Sequence, residues 1–197
     1  MISIKQINKK DIDLCYELDS NTISLWSKEQ WANEFKKDGT KIFGLLIKNL
    51  VIGICVFQVV LDEAQINYFV INKKFRKKGF GSYLMSYLIK KCEKLNLKKL
   101  LLEVSHKNVT AERFYSRFDF STVGIRKNYY KDGSHALLKE KKLTTKEFKN
   151  LTVRITRILE ITIISCYITK KVQFNLINYT FGYSQKLILN TKLTYYW

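Results

Sequence analysis

The 197-residue sequence has no proline, eight glycines, two histidines and two methionines. The missing proline accompanies abundant lysine, asparagine and isoleucine, a bias that an AT-rich genome gives by itself, so it carries no weight for function. No apolar run approaches the ~18 residues of a membrane-spanning helix. The longest, Ile158 to Ile168, has 11 residues and is broken by Glu160. The opening Met1-Ile2-Ser3-Ile4-Lys5 lacks the apolar stretch of an export signal. The cysteines, Cys15, Cys55, Cys92 and Cys166, are too scattered to form a metal-ligand pair. They read as buried thiols in a reducing cytoplasm rather than as disulfides. The two histidines, His106 and His135, have no metal partner at a suitable spacing and read as surface or loop residues. The expectation is therefore a cytoplasmic protein with no metal and no membrane association. Acidic residues are also scarce, 17 against 35 basic ones, for a net charge of +18. A basic surface suits polyanions such as nucleotide cofactors and RNA without specifying a chemistry, so direct nucleic-acid binding stays open.

What is present divides into two regimes. Residues 1–143 alternate helical and strand patterns. Ile2 to Gln6 reads as a strand, Asp11 opens a helix to Leu18, and Ser27 with Gln30 has capping-box spacing ahead of a helix over Glu29 to Phe35. Lys41 to Lys48 and Val51 to Leu61 form a hairpin around Asn49-Leu50, and Gln65 to Asn72 is a further strand. Ser82 to Leu95 carries Leu84, Leu88, Cys92 and Leu95 on one helical face. The strand Lys98 to Val104, with Leu100-Leu101-Leu102, suggests burial on both faces. Asn108 caps a helix with Ala111, Phe114, Tyr115 and Phe118 on one side, and Phe120 to Arg126 and Ala136 to Lys142 are the last strands. Residues 144–197 have one glycine, few turn signals and no clean period, and read as an appended C-terminal extension to a domain of 1–143.

The most informative segment is Arg76-Lys77-Lys78-Gly79-Phe80-Gly81-Ser82, between a strand and a helix. Two glycines let the backbone turn tightly, so that several N–H groups converge where the helix adds its positive end. Arg76, Lys77 and Lys78 add charge, which makes a pyrophosphate site. No Gly-Lys-Ser/Thr follows, so this is not a Walker loop, and the glycine spacing is not that of the dinucleotide fingerprint.

Arg-x-x-Gly-x-Gly at a helix start, in this order of elements, resembles motif A of the GNAT superfamily of acetyl-CoA-dependent N-acetyltransferases. The resemblance implies an α/β fold with a central, mostly antiparallel twisted sheet, a bulged and splayed cofactor strand pair, and flanking helices. Val59-Val60-Leu61-Asp62-Glu63-Ala64, Leu102-Glu103-Val104, Asn108, Phe114-Tyr115, Arg126-Lys127-Asn128-Tyr129-Tyr130 and Trp26-Ser27 narrow it to the branch that acetylates the N-terminal alanine of a ribosomal protein, number eighteen of the small subunit. The partner implied is that protein's N-terminus, and acetyl-CoA is the co-substrate.

By this resemblance Glu103 is the proton acceptor and Tyr115 the proton donor to the leaving thiolate. Phe69, Val70 and Ile71 bind acetyl-CoA through backbone groups freed at a bulge, Arg76 to Ser82 bind its pyrophosphate, and Asn108 adds a contact. Trp26, Ser27, Tyr129 and Tyr130 lie on the acceptor side. Read without it, Glu103 is a strand-end glutamate and Tyr115 a core tyrosine. Four departures stand out: Lys73 for a usual proline, Asp119 for a glycine, Ser105-His106-Lys107 before Asn108, and Ser134-His135 where an acidic pair is typical. They keep two alternatives open, a GNAT enzyme for another amine (small amine, polyamine or lysine) and a non-catalytic, ribosome- or RNA-associated acetyl-CoA-binding module.

Overall fold

A computed structural model describes residues 1–144, so the reading of the segment beyond Thr144 lies outside the described residues. The order is β1 (Ile2–Gln6), α1 (Ile12–Ser20), α2 (Lys28–Glu34), β2 (Thr40–Ile47), β3 (Leu50–Val60), β4 (Glu63–Ile71), α3 (Phe80–Lys94), β5 (Lys99–Ser105), α4 (Val109–Ser116), β6 (Ser121–Arg126) and β7 (Ala136–Lys142). The strands form one seven-stranded sheet ordered β1-β2-β3-β4-β5-β7-β6. All neighbours run antiparallel except β4 and β5, which are parallel. This is the mixed, mostly antiparallel α/β architecture that the sequence implied.

Local chemistry explains most boundaries. Ser27 accepts a bond from Gln30 N at 3.1 Å, and Gln30 Oε1 accepts one from Ser27 N at 2.7 Å, which closes the capping box of α2. Asn108 Oδ1 caps α4 by accepting from Ala111 N at 3.1 Å. Some boundaries differ from the sequence reading. The β2–β3 turn is Lys48-Asn49, one residue early, because Ile47 pairs with Leu50 and Lys48 takes the left-handed conformation. Asp11 stands at the N-cap of α1 without a side-chain cap bond. Helix α3 starts at Phe80, two residues early, because Gly79 supplies a left-handed N-cap. Leu95 is exposed and Leu97 is buried instead, and Leu101 is only half-buried, so β5 alternates rather than burying both faces.

The sheet is covered on both sides. Leu84, Met85, Leu88 and Cys92 of α3 pack with Phe43, Leu45, Cys55, Phe57, Leu100 and Leu102 on one face. Cys15, Leu18 and Trp31 of α1 and α2 pack with Ile42, Ile54, Val56, Tyr68 and Val70 on the other. Strand β4 changes faces midway. Ala64 and Ile66 point into the α3 layer, whereas Tyr68 and Val70, of the same parity, point into the α1–α2 layer. The extra residue is Asn67: Val56 pairs with Tyr68 and Phe57 with Ile66, which leaves Asn67 bulged. One inserted residue inverts the alternation downstream and sends Phe69 and Ile71 toward α3 and α4.

The parallel β4–β5 ladder runs from Glu63–Lys99 to Ile66–Leu102 and stops at the bulge, although β4 continues to Ile71 and β5 to Ser105. Beyond it the strands part. Strand β5 keeps its other neighbour, β7, to Ser105–Ala136. The sheet therefore opens between the far ends of β4 and β5, with α3 and α4 beside the gap.

Candidate active site

A cleft of about 710 Å³ occupies this gap. Phe69, Val70 and Ile71 form its strand wall, Arg76, Lys77, Gly79, Gly81 and Ser82 its loop end, and Asn108 and Tyr115 its helix side. Ten of the residues singled out in the sequence thus meet at one opening, together with Ile23, Thr110, Ala111, Phe114 and Arg117.

The loop end is an anion cradle. Lys77 and Gly79 both have positive φ, 58° and 84°, which turns the backbone back on itself ahead of α3. The first helical bond is Tyr83 N to Gly79 O at 2.9 Å. The amides ahead of it, in the first turn, have no carbonyl within the helix to bind, and they sit at the positive end of a 15-residue helix. Arg76 folds its Nε back onto Ile71 O at 2.9 Å, which ties the loop to the end of β4. Lys78 and Phe80 do not line the cleft: Lys78 Nζ lies 5.9 Å from the Phe75 ring centroid, and Phe80 packs edge-on against the same ring. Any part they take in anion binding falls to their backbone.

At the other end Tyr115 is 9 % exposed, with its ring against Phe114 and Phe120. Burial pushes its phenol well above the ordinary tyrosine value, helped by the Cys55 thiol and Tyr130. It therefore keeps its proton at neutral pH and is a donor. Glu103 is not a cleft-lining residue. It lies on the half-buried side of β5, 3.3 Å from Arg126 Nη1, and takes a hydrogen bond from Tyr129. Tyr130 is raised first by its own burial and then by the Glu103 carboxylate. Glu103, Tyr129, Tyr130 and Tyr115 thus form one electrostatically connected group, and Arg126 stacks over the Tyr129 ring at 5.4 Å.

Trp26 and Ser27 are elsewhere. The Ser27 hydroxyl is used as a helix cap, and Trp26 packs against Trp31 and Tyr68. Between them and the cleft is a residue that sequence reasoning missed. Asp19, fully buried at the end of α1, accepts from Leu25 N (2.9 Å), Trp26 N (2.8 Å), Trp31 Nε1 (3.3 Å) and Tyr68 Oη (2.8 Å). Its carbonyl accepts from the amides of Thr22, Ile23 and Ser24. Asp19 thereby fixes the α1–α2 loop, whose Ile23 lines the cleft. An aspartate near a Ser-Asn-Thr turn resembles a surface cap, and only the tertiary donors Trp31 and Tyr68 reveal it. Cys15 and Cys92 are buried free thiols pushed up to about 12 by desolvation, and Cys55 is raised for the same reason. Cys166 lies outside the described residues.

A parted β4–β5 pair beside a glycine-cradled helix N-terminus defines a class, and the model of the acetyltransferase (GNAT) family matches residues 8–120. The chain belongs to that family of acetyltransferases. A Haemophilus influenzae protein named [ribosomal protein bS18]-alanine N-acetyltransferase is 32 % identical over 133 residues, 66 % of this chain and 88 % of the relative. A Bacillus subtilis (strain 168) protein, given the same activity provisionally, is 30 % identical over 139 residues, 69 % of this chain and 92 % of the relative. Among solved structures, the ribosomal-protein-S18-alanine N-acetyltransferase of Escherichia coli superposes with a TM-score of 0.69 at 26 % identity, covering 74 % of this chain and 96 % of that one.

Proposed function

We propose that this chain is a cytoplasmic enzyme that transfers the acetyl group of acetyl-CoA to the α-amino group of an N-terminal alanine on small-subunit ribosomal protein bS18. The observation that carries it is the parting of β4 and β5 beyond the Asn67 bulge, over a cleft walled at one end by residues 76–82 and at the other by Tyr115. The activity named for relatives that match over about nine-tenths of their length supports the choice of acceptor.

In this reading the pyrophosphate of acetyl-CoA lies on the first-turn amides of α3, beside Arg76 and Lys77. Its pantetheine arm runs along the open edge of Phe69–Ile71, near Asn108. An α-amine has a pKa near ~8, so a large part is protonated at neutral pH and a base is needed. Glu103 takes the amine's proton, directly or through water, as the nitrogen attacks the thioester carbon. Backbone N–H groups freed on β4 receive the oxyanion of the tetrahedral intermediate. The C–S bond then breaks, Tyr115 donates its proton to the departing sulfur, the nitrogen's second proton passes to the tyrosinate so formed, and the products are the N-acetylated protein and CoA. Tyr129 and Tyr130 flank Glu103 on the acceptor side. Residues 1–143 constitute the catalytic domain: β7 ends at Lys142, and buried Leu143 closes the sheet with its N–H on Lys98 O at 2.8 Å.

The test is CoA release with an alanyl peptide of the bS18 N-terminus, with a polyamine, and with no acceptor. Release with the peptide alone is expected. Release with the polyamine alone assigns the alternative acceptor, and no release above background leaves a non-catalytic module.

A further inference from the structure

The two departures on the acceptor side, Ser105-His106-Lys107 and Ser134-His135, face each other. His106 N donates to His135 O at 3.0 Å, and His135 N donates to His106 Nδ1 at 3.0 Å. Asn128 N in turn donates to His135 Nδ1 at 3.0 Å. The two imidazoles stack with centroids 5.0 Å apart and 29° between their planes. Beside them Ser105 Oγ donates to Ser134 Oγ at 3.1 Å, Ser134 Oγ donates to Asp132 Oδ1 at 2.6 Å, and Lys107 Nζ meets Asp132 Oδ2 at 3.0 Å. The replacements are mutual partners, not scattered losses.

Their position matters. His106 lies three residues beyond Glu103, and Asn128 immediately precedes Tyr129. The turn after it is closed by Tyr130 N on Ser134 O at 3.1 Å and Gly133 N on Tyr130 O at 2.9 Å. The two Nδ1 bonds are thus part of what fastens the tyrosine-bearing hairpin tip to the end of the strand that carries Glu103.

We propose that His106 and His135 are positioning residues for the amine acceptor: through their Nδ1 atoms they hold Tyr129 and Tyr130 beside Glu103, and loss of the His135 acceptor atom releases that turn and weakens acceptor binding. His135 Nδ1 accepts from Asn128 N, whereas His106 Nδ1 has both the N–H and, at 3.2 Å, the carbonyl oxygen of His135 within reach, so the acceptor atom that the turn depends on is that of His135.

The proposal rests on the acetyltransferase reading above, and its test separates the two. In the full-length chain, His135→Asn keeps an acceptor oxygen where Nδ1 stood, whereas His135→Phe keeps a stacking ring and loses the acceptor. With acetyl-CoA and the alanyl peptide at pH 8, H135F is expected to raise the peptide KM about fivefold or more with kcat and the acetyl-CoA KM little changed, the pattern of lost acceptor binding. H135N should retain the wild-type peptide KM. The amide protection factor of Asn128, which needs no turnover, should be high in wild type and H135N and low in H135F. A wild-type peptide KM and undiminished Asn128 protection in H135F would overturn the proposal. If the wild type acetylates no alanyl peptide, the acceptor reading has failed, and the Asn128 protection alone decides whether the histidines fasten the turn.

Discussion

Replacing Gly79 and Gly81 separately by alanine should move stability in opposite directions while weakening acetyl-CoA binding in both cases. Gly79 has φ 84° and ψ −13°, and a Cβ built there meets no protein atom within 4 Å, so the folding cost of Gly79→Ala is the backbone alone. A left-handed conformation costs a non-glycine residue ~1–2 kcal/mol. Gly81 lies inside the first turn of α3, and its Cβ would meet Phe114 at 3.4 Å and Ile71 at 3.6 Å, ordinary contacts. Gly81→Ala gains up to ~1 kcal/mol of helix propensity. For a chain of this size ~1 kcal/mol corresponds to ~2–4 °C in Tm, which calorimetry resolves. Both methyl groups stand where the pyrophosphate should approach the amides, so each variant should bind acetyl-CoA at least tenfold more weakly, ~1.4 kcal/mol, by titration calorimetry. A more stable Gly81→Ala that binds less well cannot be explained by unfolding. Unchanged affinity in both variants would refute the cradle and move the pyrophosphate elsewhere.

Glu103→Gln should lower turnover strongly and leave acetyl-CoA affinity nearly intact. The deficit should shrink as pH rises through ~8, where the α-amine loses its proton unaided, and a pH-independent deficit would make Glu103 a positioning group. Tyr115→Phe should slow turnover roughly a hundredfold, and wild-type rates would return this tyrosine to the core. Asp19→Ala should destabilise by about 3–5 kcal/mol, because four donors lose a buried acceptor, and Asp19→Asn by less, read from urea unfolding. A chain ending at Leu143 should match the full chain in Tm and turnover, and an insoluble or clearly less stable product would put the later residues inside the domain.

How much of this was legible in the sequence depends on how local each cause is. Capping at Ser27 and Asn108 follows from side chains three residues from their targets, so both helices could be read directly. Gly79 and Gly81 announced the cradle because a left-handed turn before a helix has few other solutions. Asp119, which stands in place of a glycine, takes the left-handed conformation that a glycine adopts freely, with φ 62°, and its carboxylate meets Lys141 Nζ at 3.2 Å. Asn67 was invisible as a bulge, because Gln65 to Asn72 reads equally well as an uninterrupted strand and only the register with β3 exposes the extra residue. His106 and His135 read as unrelated loop residues because 29 positions separate them, and their pairing depends on β5 meeting the β6–β7 hairpin. Asp19 failed for the same reason, with its decisive donor Tyr68 on a strand 49 residues away.

The most direct test of the account is the intact mass of ribosomal protein bS18 from cells with and without this chain, with the fragment spectrum of its N-terminal peptide. One acetyl group is expected on the α-nitrogen of the N-terminal alanine when the wild-type chain is present. The group should be missing without the chain and should not return with Glu103→Gln. An identical mass with and without the chain would contradict the proposed acceptor, and acetylation fully restored by Glu103→Gln would contradict the proposed base.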